Sequence, residues 1–557
     1  MNKILCILLI TLGGQTLLQT AKGQTFTVTP SRAYNYVDGI GVNVHLRFHN
    51  VYYYSFDTII YPKLKKLGVK YIRDAVPYSG FVSIADSVII KNRFIRLHDS
   101  LGIKVSYLLD NKKVPDSAGF RDSANYLSVF QSTPGLSATV ASLEGFNEPD
   151  LTIYSWYPAK WDTLTYTIQK SLWDKAKSIP ALSGVPITAP SFVTYWAGRP
   201  DKVASMIPHI NSYFDYANFH MYDAGASDPT FFPGFTYDWN KQNTHMDSIG
   251  RGYPWVMTEI GYENALNWNL PSSPGYIPST YHYLSELACG KYYSVLFMEL
   301  FKRGAQKAYC YEFIDQNTAD QSNSENNFGL IHTDGTEKPA FTAIKNTIGI
   351  LKDDDTTFTP TPLTYTLTGT VAGINNALYQ KKNGHYYLAL WQNKDSGRCY
   401  KFMTFTDLPP DSQQVKIILP FVASHVKVYQ PLVSPDPIYT YCDKDTLTVN
   451  VPDHLLLIDI DPSCGLQQGK TPVGNKSLRL TVASPPNPNN VHISLYTREP
   501  EKGIIEIYNP AGAVIARKFV TAAAYRNDYD IPCQLTPGVY IAVFRYARGA
   551  VTQKFVQ

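Results

Sequence analysis

The sequence predicts an α/β protein: a (β/α)8 TIM barrel followed by a β-sandwich and a small C-terminal β domain. Three observations predict it. Between residues 34 and 350, eight short runs rich in β-branched and aromatic residues alternate with amphipathic stretches. From 358 to 462 the helical pattern stops, and short alternating strands follow one another between turn residues. A polar stretch containing Gly and Pro then leads into a last β-rich segment.

The chain opens with "MNKILCILLITLGGQTLLQTAKGQ", in which Lys3 precedes an apolar core and Ala21-Lys22-Gly23 offers small residues for cleavage. This reads as a secretory signal peptide over residues 1–23, cut before Gln24, with Cys6 inside it. Its apolar core is too short and interrupted for a membrane span, and no second run of membrane length follows.

The barrel is expected over 24–352. Its strands are "YVDGIGVNVHL", "VKYIRDA", "IKVSYLLD", "ASLEGFN", "VPITAPS", "YANFHMYD", "PWVMTEIGY" and "KAYCYEFID". The helical candidates between them include "KNRFIRLHDSLG", "WDTLTYTIQKSLWDKAKS" and "YDWNKQNTHMDSIG", and "KPAFTAIKNTIGIL" closes the series. Several end at Gly just before the next strand, as a helix stop should. Eight repeats without a Gly-rich phosphate loop after the first strand favour a closed barrel over an open doubly wound sheet. The β-sandwich is expected over 353–464, a linker over 465–476, and the C-terminal β domain over 477–557.

A formal charge of +4 on 557 residues, with no Lys/Arg run, lacks the electrostatic footprint of a nucleic-acid binder. The 41 Tyr, 26 Phe and 8 Trp fit a sugar-stacking surface and a large β-rich protein alike. Six cysteines remain after signal cleavage, with no CxxC pair or His partner at metal spacing. A disulfide among Cys399, Cys442 and Cys464 stays open, whereas Cys289 and Cys310 read as buried free thiols.

A (β/α)8 barrel gathers the C-terminal ends of its strands around one mouth. Strand one ends near Asn43 and His45, strand two with Arg73 and Asp74, and strand four with Asn147 and Glu148. Strand six ends with His220 and Tyr222, strand seven with Glu259, and strand eight with Glu312 and Asp315. Carboxylates on strands four and seven face each other across such a mouth, the arrangement that glycosidic bond hydrolysis needs. One must stay protonated and the other ionised. Asn147 is placed to bond a sugar 2-hydroxyl, and Tyr222 with Arg73 to hold Glu259 ionised.

The other polar residues have plainer readings. Glu144, at the start of strand four, reads as structural or solvent-facing. The loop "DQNTADQSNSENN" is rich in oxygens but lacks EF-hand spacing, so no metal and no other cofactor is expected. Trp156, Trp161, Trp196, Trp239 and Trp268 are candidate sugar platforms, and Trp173 reads as core.

"NEP" at strand four with "TE" at strand seven resembles glycoside hydrolase clan A, retaining enzymes on (β/α)8 barrels with two catalytic Glu residues. The resemblance implies Glu148 as acid/base, Glu259 as nucleophile and Asn147 as the 2-hydroxyl contact. "NFHMY" is similar to the clan's His-x-Tyr element, which maps His220 and Tyr222 to subsite and nucleophile support, and Arg73 matches its second-strand Arg. "FGLIHTDGTEKPAFTAIKNT" is similar to the eighth loop and helix of clan members, although "YEFIDQ" stands where many place a Trp. The tail, with "IEIYNPAGAVIARK", "LTPGVYIAVF" and "TQKFVQ", resembles the C-terminal sorting domain of type IX secretion.

The expectation is a secreted, monomeric retaining glycosidase acting on a poly- or oligosaccharide, with a β-glycan favoured. The site residues are Glu148 and Glu259, with Asn147, Arg73, His45, His220, Tyr222, Trp196 and Glu312 for substrate. The expected partners are the carbohydrate and the type IX secretion machinery. The alternative is an inactive surface glycan-binding protein on the same barrel.

Overall fold

The computed structural model describes residues 23–49, 51–78, 83–109, 126–193, 200–222, 252–265, 284–354, 357–392, 394, 397–400, 404–407, 409–462, 478–482, 488–497, 500–523, 525–547 and 549–557. The expected signal segment up to residue 22, the 465–476 linker, the helix of "YDWNKQNTHMDSIG" and residues Trp196, Trp239 and Trp268 lie outside them.

Eight parallel strands build the barrel. In chain order they are Ile40–Asn43, Tyr71–Ala75, Lys104–Leu109, Val140–Phe146, Ile187–Thr188, Ala217–Tyr222, Trp255–Gly261 and Ala305–Cys310. Around the ring they run five-four-three-two-one-eight-seven-six, all paired in parallel. Parallel bridges between Thr188 and Tyr216, and between Phe192 and Phe219, join strand five to strand six. Pro186 and Pro190 confine strand five to two residues, because each lacks the N–H that a ladder uses.

Helices follow the strands where apolar residues recur on one face. Ile84–Leu101 starts at Ser83, whose hydroxyl accepts from Asp86 N at 3.1 Å, and stops at Gly102 with φ 68°. Trp161–Ser178 buries Leu164, Ile168 and Leu172 on one side. Glu286–Lys302 is buried from Ala288 to Leu300, because it lies between the barrel and the second sheet.

The first expected strand is half helix. Ala33–Gly39 is helical and sets Tyr36 edge-on to Phe301 and Tyr379, each with ring centres 5.3 Å away. The expected barrel boundary at residue 24 is also corrected. Gln24–Val28 runs antiparallel to Leu363–Gly369, and Ser31–Arg32 pairs with Ile374–Gln380. Phe26 and Val28 pack on the sandwich core, while Thr25 and Thr27 bond Thr366 and Thr364 through their hydroxyls.

The sandwich is one continuous sheet folded over. Its long strand Ser412–Tyr429 pairs with Leu363–Gly369 through its first half and with Leu456–Asp461 through its second. A register break between Ile418 and Ala423 marks the bend. Leu363, Tyr365, Val415, Leu388 and Ile458 fill the fold's interior. Tyr386–Gln392 is buried on both faces, since Tyr387, Ala389 and Trp391 point to the barrel side. There Trp391 Nε1 donates to Glu299 at 2.8 Å, and Lys291 pairs with Asp453 at 2.7 Å.

The Lys291–Asp453 pair is nearly inaccessible to water. Lys291→Met is therefore expected to destabilise this unit by roughly 3–5 kcal/mol, because it strands a buried carboxylate. Calorimetric melting checks this, and the double variant Lys291→Met/Asp453→Leu is expected to recover most of the loss.

Residues 467–557 form a separate compact unit. Its three-stranded and four-stranded antiparallel sheets share a core of Val491, Ile493, Leu495, Ile505, Ile507, Tyr540 and Phe544. Among the described residues Cys289 and Cys310 are buried free thiols, and Cys442 and Cys533 are also unbridged. No described helix is long and apolar enough to cross a membrane.

Candidate active site

The barrel mouth is organised around Arg73, which is 1 % exposed. Its guanidinium grips Glu144 bidentately, Nε to Oε2 at 2.7 Å and Nη2 to Oε1 at 2.8 Å. Nη2 also reaches Asn147 Oδ1 at 2.8 Å, and Nη1 reaches Asn43 Oδ1 at 2.9 Å and Glu259 Oε1 at 2.5 Å. Burial disfavours this charge, but Glu144 and Glu259 outweigh it and raise the guanidinium's proton affinity. Asn43 in turn donates to Thr258 O at 2.9 Å, which ties strand one to strand seven. One buried cation thus aligns side chains from strands one, four and seven.

Glu259 ends strand seven with both oxygens held. Arg73 serves Oε1, and the Tyr222 hydroxyl donates to Oε2 at 2.5 Å. Burial alone would raise its carboxyl. The charges of His220 and Arg73, with the bonds from Tyr222 and Arg73, win and hold it at about 2. Tyr222 moves the opposite way, well above its usual range, because of burial and then the Glu259 charge. It therefore stays an O–H donor.

Glu148 closes strand four in the left-handed region, with φ 48°. Only one other described non-glycine residue, Asp443, shares a positive φ. A side chain held there costs on the order of 1–3 kcal/mol and persists because its surroundings impose it. Glu148 N donates to Ser191 O at 2.9 Å, and its carbonyl accepts from Leu151 N and Thr152 N. The turn that follows is anchored by buried Asp150, whose Oδ1 accepts from Val193 N at 3.2 Å. Gly145, three residues earlier, lets the strand press on its neighbours, since a Cβ there would meet Gln169 at 2.2 Å and Pro190 at 2.8 Å. The result is a Glu148 Oε1 that lies 2.8 Å from His220 Nδ1. Oxygens of Glu148 and Glu259 and a ring nitrogen of His220 all lie within 4.8 Å of one another.

No family model matches the chain, and no curated protein does either. Solved structures do match. One is a family 39 glycoside hydrolase from the gut symbiont Bacteroides cellulosilyticus WH2, 14 % identical, with a TM-score of 0.50, covering 78 % of this chain and 83 % of that one. The likeness establishes the fold. A glucosidase from Croceicoccus marinus matches at 11 % identity and TM-score 0.49, over 79 % of this chain and 99 % of its own. An arabinofuranosidase from Xanthomonas axonopodis pv. citri matches at 12 % and 0.48, over 79 % and 100 %.

The remaining expected residues divide. Asn147 is half-buried beside Glu148, with its Oδ1 taken by Arg73. Arg73 and His220 are buried beneath the carboxylates and hold them in place. His45 and Glu312 sit to one side, 3.4 Å apart from Nε2 to Oε2. Glu312 is fully buried, and burial, then Glu325, Asp315 and Glu259, lift its carboxyl well above the usual range against a bond from Gln316. It faces His45 and the protein interior, so it offers no open surface to a sugar. Of the Trp candidates among the described residues, Trp156 is exposed, whereas Trp161 is buried in the helical core.

Thr258 and Tyr311 carry no assignment from the sequence, whereas Glu144 reads there as structural or solvent-facing, and the structural half holds. Glu144 is 0 % exposed, which overturns its solvent-facing alternative. Its signal was a carboxylate flanked by apolar strand residues, a placement that requires a buried cation nearby. Thr258, beside Glu259, bonds His220 Nε2 at 3.0 Å and Glu144 Oε1 at 3.1 Å. Tyr311 stands just beyond strand eight, its ring 5.6 Å from that of His45 and 6.1 Å from that of Tyr222. Glu148, His220 and Glu259 are also close enough to share a metal ion, although Arg73 already neutralises Glu259.

Proposed function

We propose that the protein is a secreted retaining glycoside hydrolase acting on a poly- or oligosaccharide, with Glu259 as nucleophile and Glu148 as acid/base. One observation carries the reading: Glu148 and Glu259 bring carboxylate oxygens within 4.8 Å across the mouth, and the protein holds Glu259 ionised. Retaining enzymes keep their carboxyls about 5–5.5 Å apart, whereas inverting ones leave about 6.5–9.5 Å for a water. In the first step Glu259 attacks the anomeric carbon while Glu148 protonates the leaving oxygen. In the second step Glu148 takes a proton from water, which hydrolyses the glycosyl–Glu259 ester. Arg73 and Tyr222 hold the attacking carboxylate in orientation. The Asn147 amide N–H is the group offered to a 2-hydroxyl, since its oxygen is engaged by Arg73.

The reading includes a β-linked glycan, no cofactor, a monomer, export by residues 1–23 and type IX sorting by residues 477–557. The sequence features given above support these parts. The test is product analysis against an array of polysaccharides, with proton NMR of the first anomer released. A β-glycan is expected to give the β anomer first. Initial release of the α anomer would overturn retention, and no product from any glycan would overturn the enzyme.

A further inference from the structure

A chain of hydrogen bonds runs from Glu148 into the barrel interior through His220, Thr258 and Glu144. The mechanism above uses only its first member. We propose that Thr258 fixes the tautomer of His220, so that Glu148 and His220 Nδ1 hold one proton between them and load the acid/base. The inference rests on the reading of Glu148 as the acid/base and makes Thr258 and His220 positioning residues.

Thr258 Oγ1 has one proton and three neighbours: Glu144 Oε1 at 3.1 Å, Asn218 Oδ1 at 2.9 Å and His220 Nε2 at 3.0 Å. Glu144 is gripped at both oxygens by Arg73 and can only accept. Asn218 Oδ1 is fixed as an acceptor because the backbone N–H of Thr258 also points to it, at 3.3 Å. The hydroxyl proton is therefore spent on one of these two oxygens, and Oγ1 turns a lone pair to His220. Nε2 must carry a hydrogen.

That leaves Nδ1 as the nitrogen that shares a proton with Glu148, 2.8 Å from Glu148 Oε1 and 3.5 Å from Glu259 Oε2. When the shared proton sits on Glu148, Nδ1 accepts and Glu148 stands ready as an acid; when it sits on Nδ1, His220 is the cation that faces Glu259 Oε2. Once Glu148 has passed that proton to the leaving oxygen, its carboxylate faces a bare nitrogen lone pair. This repulsion strengthens Glu148 as the base that deprotonates water in the second step. Besides Glu148 and Glu259, the charged or titratable groups around the imidazole are Arg73 on strand two, Glu144 on strand four and Tyr222 on its own strand. Arg73 and Tyr222 are spent on Glu259, and Arg73 also on Glu144. None of them donates to Nδ1.

Nitrogen-15 NMR of histidine-labelled full-length protein reads the tautomer directly, with His220 identified by comparison with His220→Gln and Glu148→Gln. The wild type is expected to keep Nε2–H throughout, with Nδ1 the only ring nitrogen whose proton comes and goes, and Thr258→Val to show the neutral Nδ1–H form. An Nδ1–H tautomer in the wild type overturns the proposal. In kinetics, Thr258→Val is expected to shift the alkaline limb of kcat/KM down by about one pH unit, while Thr258→Ser restores the wild-type profile. A Thr258→Val profile that superimposes on wild type also overturns it. If no glycan is turned over, the hydrolase reading fails, and the NMR result still decides the tautomer.

Discussion

Glu259→Ala is expected to abolish turnover, with a loss on the order of 10⁵-fold or more, because no other group can form the covalent intermediate. The neighbours of Glu259 are Arg73, Tyr222 and, at 3.5 Å, His220, with Glu148 beyond it, and none of them is placed to attack in its stead. Glu148→Ala is expected to behave differently. It loses roughly 10²–10⁴-fold on substrates whose leaving group needs protonation, and little on the first step of an activated aryl glycoside. Azide then enters the space left by the carboxylate and restores turnover, giving a glycosyl azide of retained configuration. Two variants with wild-type rates would sink the assignment of both residues.

The acid side of the pH profile follows from the same site. Glu259 titrates at about 2 in the folded protein, against an ordinary 4.5. The acid limb of kcat/KM therefore lies well below its usual place for a carboxylate nucleophile. The linked stability has the same sign. A depressed folded value contributes stability that is present above about 4.5 and lost as pH falls towards 2.

Much of this site was legible because barrel topology converts strand order into position. Once eight strands are counted, Glu148 at the fourth and Glu259 at the seventh must share a mouth, whatever the loops between them do. Trp161–Ser178 was readable to its ends, since a long amphipathic period is a strong signal. The misreadings have local causes. "YVDGIGVNVHL" has strand-like composition throughout, yet its first residues turn helical, burying Val37 and setting Tyr36 against Phe301 and Tyr379. Gln24–Val28 looked like the barrel's start because adjacency in sequence was taken for adjacency in space; its partner strand lies more than 300 residues later. The role of Thr258 and the partner of Glu144 stayed hidden for a different reason. A strand's alternation shows which residues point inward, but not which inward residues meet across the barrel.

The Arg73 variants carry the largest expected stability effect. The guanidinium makes five hydrogen bonds, to Glu144 twice and to Asn147, Asn43 and Glu259 once each. Arg73→Met leaves Glu144 fully buried and Glu259 nearly so without a cation, and removing one side of a buried pair costs roughly 3–5 kcal/mol. Arg73→Lys restores a charge but not the planar fork, so it is expected to fold with a smaller loss while kcat falls steeply, because Glu259 loses its orientation. The pH dependence separates this cause from simple loss of packing. Without Arg73 the two carboxyls stay buried with no guanidinium beside them, and burial disfavours the charged form. The folded variant then binds more protons than its unfolded chain, so its stability falls as pH rises beyond the unfolded value. Arg73→Met is thus expected to lie closer to wild type in melting experiments at pH 5 than at pH 8, and Glu144→Gln added to it is expected to recover part of the deficit at pH 8. An equal deficit at both pH values would assign the loss to packing and remove Arg73 from its electrostatic role.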